Sequence, residues 1–340
     1  MKKTILFVFI FALVSSLTPA KKLADLPEVL TSPAISVQNN RIYIEEETTI
    51  HIYSLKDFKH LKQFGKEGEG PGEFKFFMEF EALSQKLVVN TMGKAIIFSL
   101  EGVFLEEFRT PVSIRSIYPV GNNFVGYASV TQKGKVKSKL NTNFYDRKFN
   151  LLKTIHDGST GQMIFFKSGT KKKQDFFMVR DHVAFSIYKD RVFLGDTTKG
   201  FFCSVYDSSG KKLYDIHRKH EKLKVSEDYK KKIMKREQER PSWQRNKKLF
   251  NYLFPEYFPA FRAVRFSDDK IYFVTYANTD NRDEVVVTDL KGNFVQKTGI
   301  PSDPYNRNNR FSIYQNQVFY LMRIEEDEDE LWELHAENLK

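Results

Sequence analysis

The chain has 340 residues, a single cysteine and a net charge of +11 at pH 7. One cysteine excludes an intrachain disulfide, so the fold rests on burial, and 32 Phe and 16 Tyr supply the apolar surface for a large core. The positive charge is local: residues 218–248 hold 13 Lys or Arg against five Asp or Glu, a net of +8, which excludes a basic surface spread over the whole molecule.

Residues 1–20 read as a secretory signal peptide. Lys2 and Lys3 precede an apolar run from Ile5 to Val14 that is too short to span a membrane, and Thr18-Pro19-Ala20 suits cleavage after Ala20. The expected mature protein begins at Lys21, carries no membrane anchor and resides in the periplasm or the medium. No Cys follows the apolar run, which argues against a lipid attached to a new N-terminus.

From residue 41 onward one phrase recurs: an alternating strand, a polar turn, then another alternating strand. Ile50-His51-Ile52-Tyr53-Ser54 leads into Leu61-Lys62-Gln63-Phe64. Counterparts are centred on Phe98, Tyr145, Tyr206 and Thr288, with a partial copy at Leu334. These anchors lie 45, 47, 61, 82 and 46 residues apart. Self-similarity at this period, with several short strands per unit, predicts an all-β fold, a β-propeller. Six middle strands (41–44, 86–89, 123–127, 191–194, 270–274 and 317–321) predict six blades of four antiparallel strands. The last blade runs out after its third strand. Residues 23–29 are expected to supply the fourth, closing the ring and removing an open sheet edge.

Between the first and second blades lies Gly65-Lys66-Glu67-Gly68-Glu69-Gly70-Pro71-Gly72-Glu73-Phe74. No Lys-Ser or Lys-Thr follows the last glycine and three glutamates would repel phosphate, so a blade-to-blade crossover is favoured over an anion cradle. With Gly65, Gly68, Gly70, Pro71, Gly72, Glu73 and Phe74 in place, the chain resembles the bacterial exported six-bladed β-propeller proteins related to NHL-repeat propellers, over residues 22–340. The resemblance implies that this loop links blades and that Phe74 packs between them. It also implies a charged helical insertion late in the ring, followed by a Pro- and Phe-rich return.

That insertion is read at 221–259, between blades four and five. Ser226 caps a helix with Glu227 and Asp228 in its first turn, Pro241 ends it, and a second helix spans Ser242 to Leu253. The apolar second half, with Trp243, Phe250, Tyr252 and Phe258, is expected to pack on the propeller; the basic first half is expected to face solvent. No nucleic-acid-reading motif accompanies the lysines, so 221–248 reads as a solvated face or as a contact for anionic envelope polymers rather than for nucleic acid. Lys167 to Lys173 is read as a basic loop. The acidic run Glu325 to Glu330 is read as a solvated turn of blade six, since it lacks the Gly and Asn of calcium loops.

Resemblance to propellers that include metal-dependent lactonases and lyases directs attention to the axis. The inner strands offer Glu79, Glu81, Arg115, His182, Ser186, Arg262, Arg265 and Arg310. Several arginines oppose a cation, so neither a metal nor another cofactor is expected. Arg115, His182, Arg262, Arg265 and Arg310 are candidate binders of a carboxylate, sulfate or phosphate, or else partners of Glu79 and Glu81. No Gly-x-Ser-x-Gly elbow exists, the His217/His220 pair reads as solvated, and Cys203, in an alternating strand, reads as a buried thiol. No catalytic residue is assigned. The chain is expected to be an exported binding or scaffolding propeller for an unknown protein or anionic ligand; the alternative is an axial-site hydrolase or lyase on carbohydrate-like or acidic substrates.

Overall fold

A computed structural model describes residues 21–339 except 32, 75–78, 132–137, 159–172, 303–309 and 327–328. The leader at 1–20 and the basic loop up to residue 172 lie outside the described residues. Six four-stranded antiparallel sheets follow one another around an axis, at 34–64, 79–109, 114–156, 183–218, 263–301 and 311–338 with 21–25. The predicted middle strands all occupy the second position of their blades.

The recurring phrase has a physical cause in its turn. The last residue of the third strand, or the one just after it, is Asp or Ser, and its side-chain oxygen accepts backbone N–H groups two to four residues on. Asp146 takes Lys148 and Asn150, Asp207 takes Ser209 and Lys211, Asp289 takes Lys291 and Asn293, and Ser99 takes Glu101 and Val103. The preceding anchor is buried each time: Tyr53, Phe98, Tyr145, Tyr206 and Thr288. First-to-second strand turns are equally specific. Asn39-Asn40, Lys189-Asp190, Asp268-Asp269 and Gln315-Asn316 hold two consecutive positive φ values, the geometry that matches strand twist in a two-residue hairpin.

Alternation sends successive side chains to opposite neighbours, so the core lies between blades. In blade one Ile50 and Ile52 pack toward blade two, whereas Tyr53 packs toward blade six. Phe74, fully buried, joins the cluster between blades one and two. The glycine loop before it folds on itself: Glu73 accepts from Gly70 N–H at 3.1 Å and pairs with Lys66 at 2.7 Å. A carboxylate of the loop itself thus takes the Gly70 amide. Gly65 sits at φ +105°, and a Cβ there would stand 2.3 Å from the Thr48 carbonyl oxygen.

The ring is closed by the N-terminal segment, as expected, but in a shifted position. The closing strand is Lys21–Asp25, paired antiparallel with Asp329–Asn338, not 23–29. Leu26 and Val29 instead bury in the turn that follows, 1% exposed each. Their apolarity marks a plug rather than a ladder. Glu46 of blade one then grips the passing chain, accepting from Leu30 N–H at 2.6 Å and Thr31 N–H at 2.5 Å, and Tyr53 donates to Glu28 at 2.9 Å. The segment therefore joins blade six to blade one twice over.

The insertion begins as read. Helix α1, Glu227–Glu239, is capped by Ser226, whose hydroxyl accepts from Tyr229 N–H at 3.2 Å. Helix α2 is shorter than expected, Trp243–Leu249, because Phe250–Leu253 forms a strand parallel to Gln174–Phe177. Phe176 packs against Phe250 and Tyr252 there, and these aromatic positions prefer the pleated pairing. The insertion's legs are zipped at their base: Phe258 N–H donates to Leu223 O at 2.8 Å, and Val225 N–H to Glu256 O at 3.0 Å. Phe258 stacks on Tyr276 of blade five at 4.6 Å, while Lys231, Lys232 and Lys235 face solvent. The acidic run is not all turn, since the strands reach Glu326 and resume at Asp329.

Candidate functional site

A cavity of about 470 Å³ lies among the inner strands. Small residues open it: Ala184 is the second residue of one inner strand, Ala263 the first of another, and Gly195 stands opposite Ala184. Its chemistry is two-sided. Blades one and two contribute Glu45, Glu79 and Glu81; blades four and five contribute His182, Arg262 and Arg265; Tyr118, Tyr127 and Phe185 complete the walls.

Of the five binders read from sequence, the cavity brings together His182, Arg262 and Arg265. Arg115 and Arg310 do not line it. Arg115 falls in a bulge where the register slips between Ile114 and Ser116, which re-aims the side chain. Arg310 lies 4.8 Å over the Trp332 ring, inside its own blade. Glu45, Tyr118 and Tyr127 were missed by the sequence reading. Glu45 is on a second strand, opposite Ala34, whose methyl group leaves the channel side open to it. Register alone reveals that.

The two sides differ in how far their charges are satisfied. Arg262 is buried in an ion pair with Asp283, which also accepts from Asn278 at 2.9 Å and Ser302 at 2.7 Å. Its charge is compensated. Arg265 donates to the Val264 carbonyl and lies 5.1 Å from the Phe311 ring centre. Burial pulls its guanidinium below the ordinary arginine range, against the attraction of Glu81 and with the repulsion of Arg262. On the acidic side burial pushes the Glu45 carboxyl up to about 7, helped by Glu81 and Glu79. Glu81 reaches about 7 for the same reason, although Arg265 opposes the shift. Its side chain is exposed to the channel, where solvent weakens this shift, so the more enclosed Glu45 carries the firmer one. Tyr118 donates to Glu79, and burial drives its hydroxyl well above the usual tyrosine range. Burial lowers His182, whose backbone N–H is held by Thr197 Oγ1 at 2.8 Å.

A pH dependence of stability follows. Glu45 and Glu81 ionise near 4.5 in the unfolded chain and near 7 when folded, so their contribution is complete below pH 4.5 and is lost as pH rises through about 7. The double variant Glu45→Gln/Glu81→Gln should melt a few degrees above the parent at pH 8 and within a degree or so of it at pH 4.5. Thermal scans at the two pH values check this, and an equal offset at both would contradict it.

Cys203 is buried and its thiol is raised out of the reactive range by desolvation. Among the described residues no group of three or more His, Cys, Asp or Glu is placed to hold a metal ion, and no helix is long and apolar enough to cross a membrane.

No curated protein matches the chain. Among solved structures it is similar to the Cps50 (Swd1) β-propeller domain of Myceliophteria thermophila, with 8% identity, 93% of this chain and 99% of that one covered, and a TM-score of 0.45. It is also similar to BamB from Moraxella catarrhalis, with 8% identity, 88% and 71% covered, and a TM-score of 0.29. Residues 28–238 match the profile of a family described as 6-bladed beta-propeller. With six closed blades and more than half its length matched, the chain belongs to that 6-bladed beta-propeller family.

Proposed function

We propose that the protein is a non-catalytic binding propeller that holds a small polar ligand with an acidic group in its axial cavity. One observation carries the reading: Arg262 and Arg265 share a 470 Å³ cavity with the Glu45 and Glu81 carboxyls, which burial pushes up to about 7. As Glu45 and Glu81 take up protons the cavity loses negative charge, and the attraction of Glu81 for Arg265 weakens. A carboxylate, sulfate or phosphate then finds the guanidinium fork, and the aromatic walls take its apolar body.

Calorimetry with a panel of sugar acids and their neutral counterparts tests this. Acids should bind at pH 6, weaken at least several-fold at pH 8 and lose affinity in Arg265→Gln. Binding of neutral sugars alone, or no binding in the millimolar range, would overturn it. The second reading, a hydrolase or lyase, draws support from a carboxyl poised near neutrality beside the Tyr118–Glu79 pair. Product formed from any bound acid, and its loss in Glu81→Gln, would favour that reading.

The site of action is read as the periplasm or the medium. The leader-like run ending at Ala20 supports it, and a cut there leaves the closing strand, which starts at Lys21, intact. Protein recovered outside the cytoplasm should begin at Lys21; recovery with Met1 in a membrane fraction would contradict export by cleavage.

A further inference from the structure

A second concavity, of about 500 Å³, lies at the foot of the insertion, on the outer part of blades four and five and separate from the axial cavity. It owes its shape to a break in blade five. The pairing of Lys270–Thr279 with Arg282–Asp289 jumps from Val274↔Val285 to Asn278↔Asp283, so Thr275, Tyr276 and Ala277 together face Glu284 alone. Within that bulge Tyr276 stacks on Phe258 of the insertion's return, and both line the concavity. The floor is apolar, from Phe201, Phe258, Pro259 and Val286. The rim is basic, from Arg218, Lys219, Lys222 and Lys297. Two acids share it, Glu221 and Glu284, and Glu284 already pairs with Lys297 at 2.7 Å. Lys219, Lys222 and Leu223 are exposed.

We infer that this groove docks an acidic peptide segment that carries one large apolar side chain. Each part of the groove asks for one part of that ligand. The floor takes an aliphatic or aromatic anchor, which a polyanion without apolar groups cannot provide. The rim's excess of cations meets carboxylates on either side of the anchor. The volume suits a few residues of extended chain rather than a folded surface.

The test uses the full mature chain and a fluorescein-labelled, end-capped Glu-Glu-Leu-Glu-Glu peptide in a polarisation titration, with a Glu-Glu-Ser-Glu-Glu peptide, a Lys-Lys-Leu-Lys-Lys peptide and dextran sulfate as competitors. Saturable binding should weaken at least tenfold in Lys219→Glu/Lys222→Glu, exposed positions whose change leaves circular dichroism and melting intact, and should fall with added salt. The leucine peptide should compete at least tenfold better than the serine peptide, and the lysine peptide should not compete. Arg265→Gln should leave the titration unchanged, which separates this groove from the axial site. Absence of binding, equal competition by the serine peptide, or stronger competition by dextran sulfate than by the leucine peptide would each overturn the inference; the last would assign the basic rim to an anionic polysaccharide.

Discussion

Removal of residues 21–30 is expected to destabilise the protein more than any single substitution and to make it associate. The closing strand pairs along Lys21↔Ala336 to Asp25↔Glu333, and Lys22 bridges Glu333 at 2.5 Å. The truncation deletes the ladder and two plugs, Leu26 and Val29, each worth about 1.5–3 kcal/mol of burial. It also bares the edge of a ten-residue strand, Asp329–Asn338, and uncovers Trp332, now 1% exposed. An unpaired edge over an apolar face is a template for intermolecular pairing. Light scattering and thermal scans read the two effects, and Leu26→Ala should show an intermediate loss of about 2–5 kcal/mol. A truncated protein that stays monomeric with an unchanged melting temperature would refute this account of closure.

Asp283→Ala is expected to cost about 3–5 kcal/mol, because it leaves the buried Arg262 guanidinium without its counter-charge. Asn278 and Ser302 lose an acceptor in the same step. The double change Arg262→Leu/Asp283→Leu should recover much of that loss, since two apolar side chains of fair volume need no counter-charge. Urea denaturation of the parent, both single variants and the double variant gives the coupling. A loss below about 1 kcal/mol for Asp283→Ala would mean that water reaches Arg262 from the axial cavity and screens it.

The blades were legible because their signal is local and repeated. Tyr53-Ser54, Phe98-Ser99, Tyr145-Asp146 and Tyr206-Asp207 each join a buried anchor to a turn-forming side chain, and both roles are fixed within a few residues. The cap at Ser226 was legible for the same reason. What stayed hidden depends on distant chain. Phe250–Leu253 looked helical until Gln174–Phe177, 76 residues earlier, offered it an edge. Half of the candidate site was hidden likewise. His182, Arg262 and Arg265 were found because they stand at or near the start of inner strands. Arg115 and Arg310 share that position, but a bulge and a tryptophan face redirect them. Glu45 entered the site through its register with Ala34, which no pattern of residue types encodes.

Closure by the first strand has a consequence for the order in which the molecule can form. Lys22 and Glu333 meet across 311 positions of sequence. During synthesis the chain therefore displays Leu26 and Val29 early, while the blade-six part of the surface that buries them is the last to be made. Blades one to five can each pair their own strands as they emerge, through contacts of short span, but the seam waits for the final strand and carries the largest loop-closure entropy in the molecule. A chain interrupted before Asp329 leaves two bare faces, one on blade one and one on the unfinished blade six. Such a fragment keeps the clusters between its neighbouring blades but lacks the one across the seam. The seam is for this reason the last part of the ring to close, and the slowest step of its assembly is expected there.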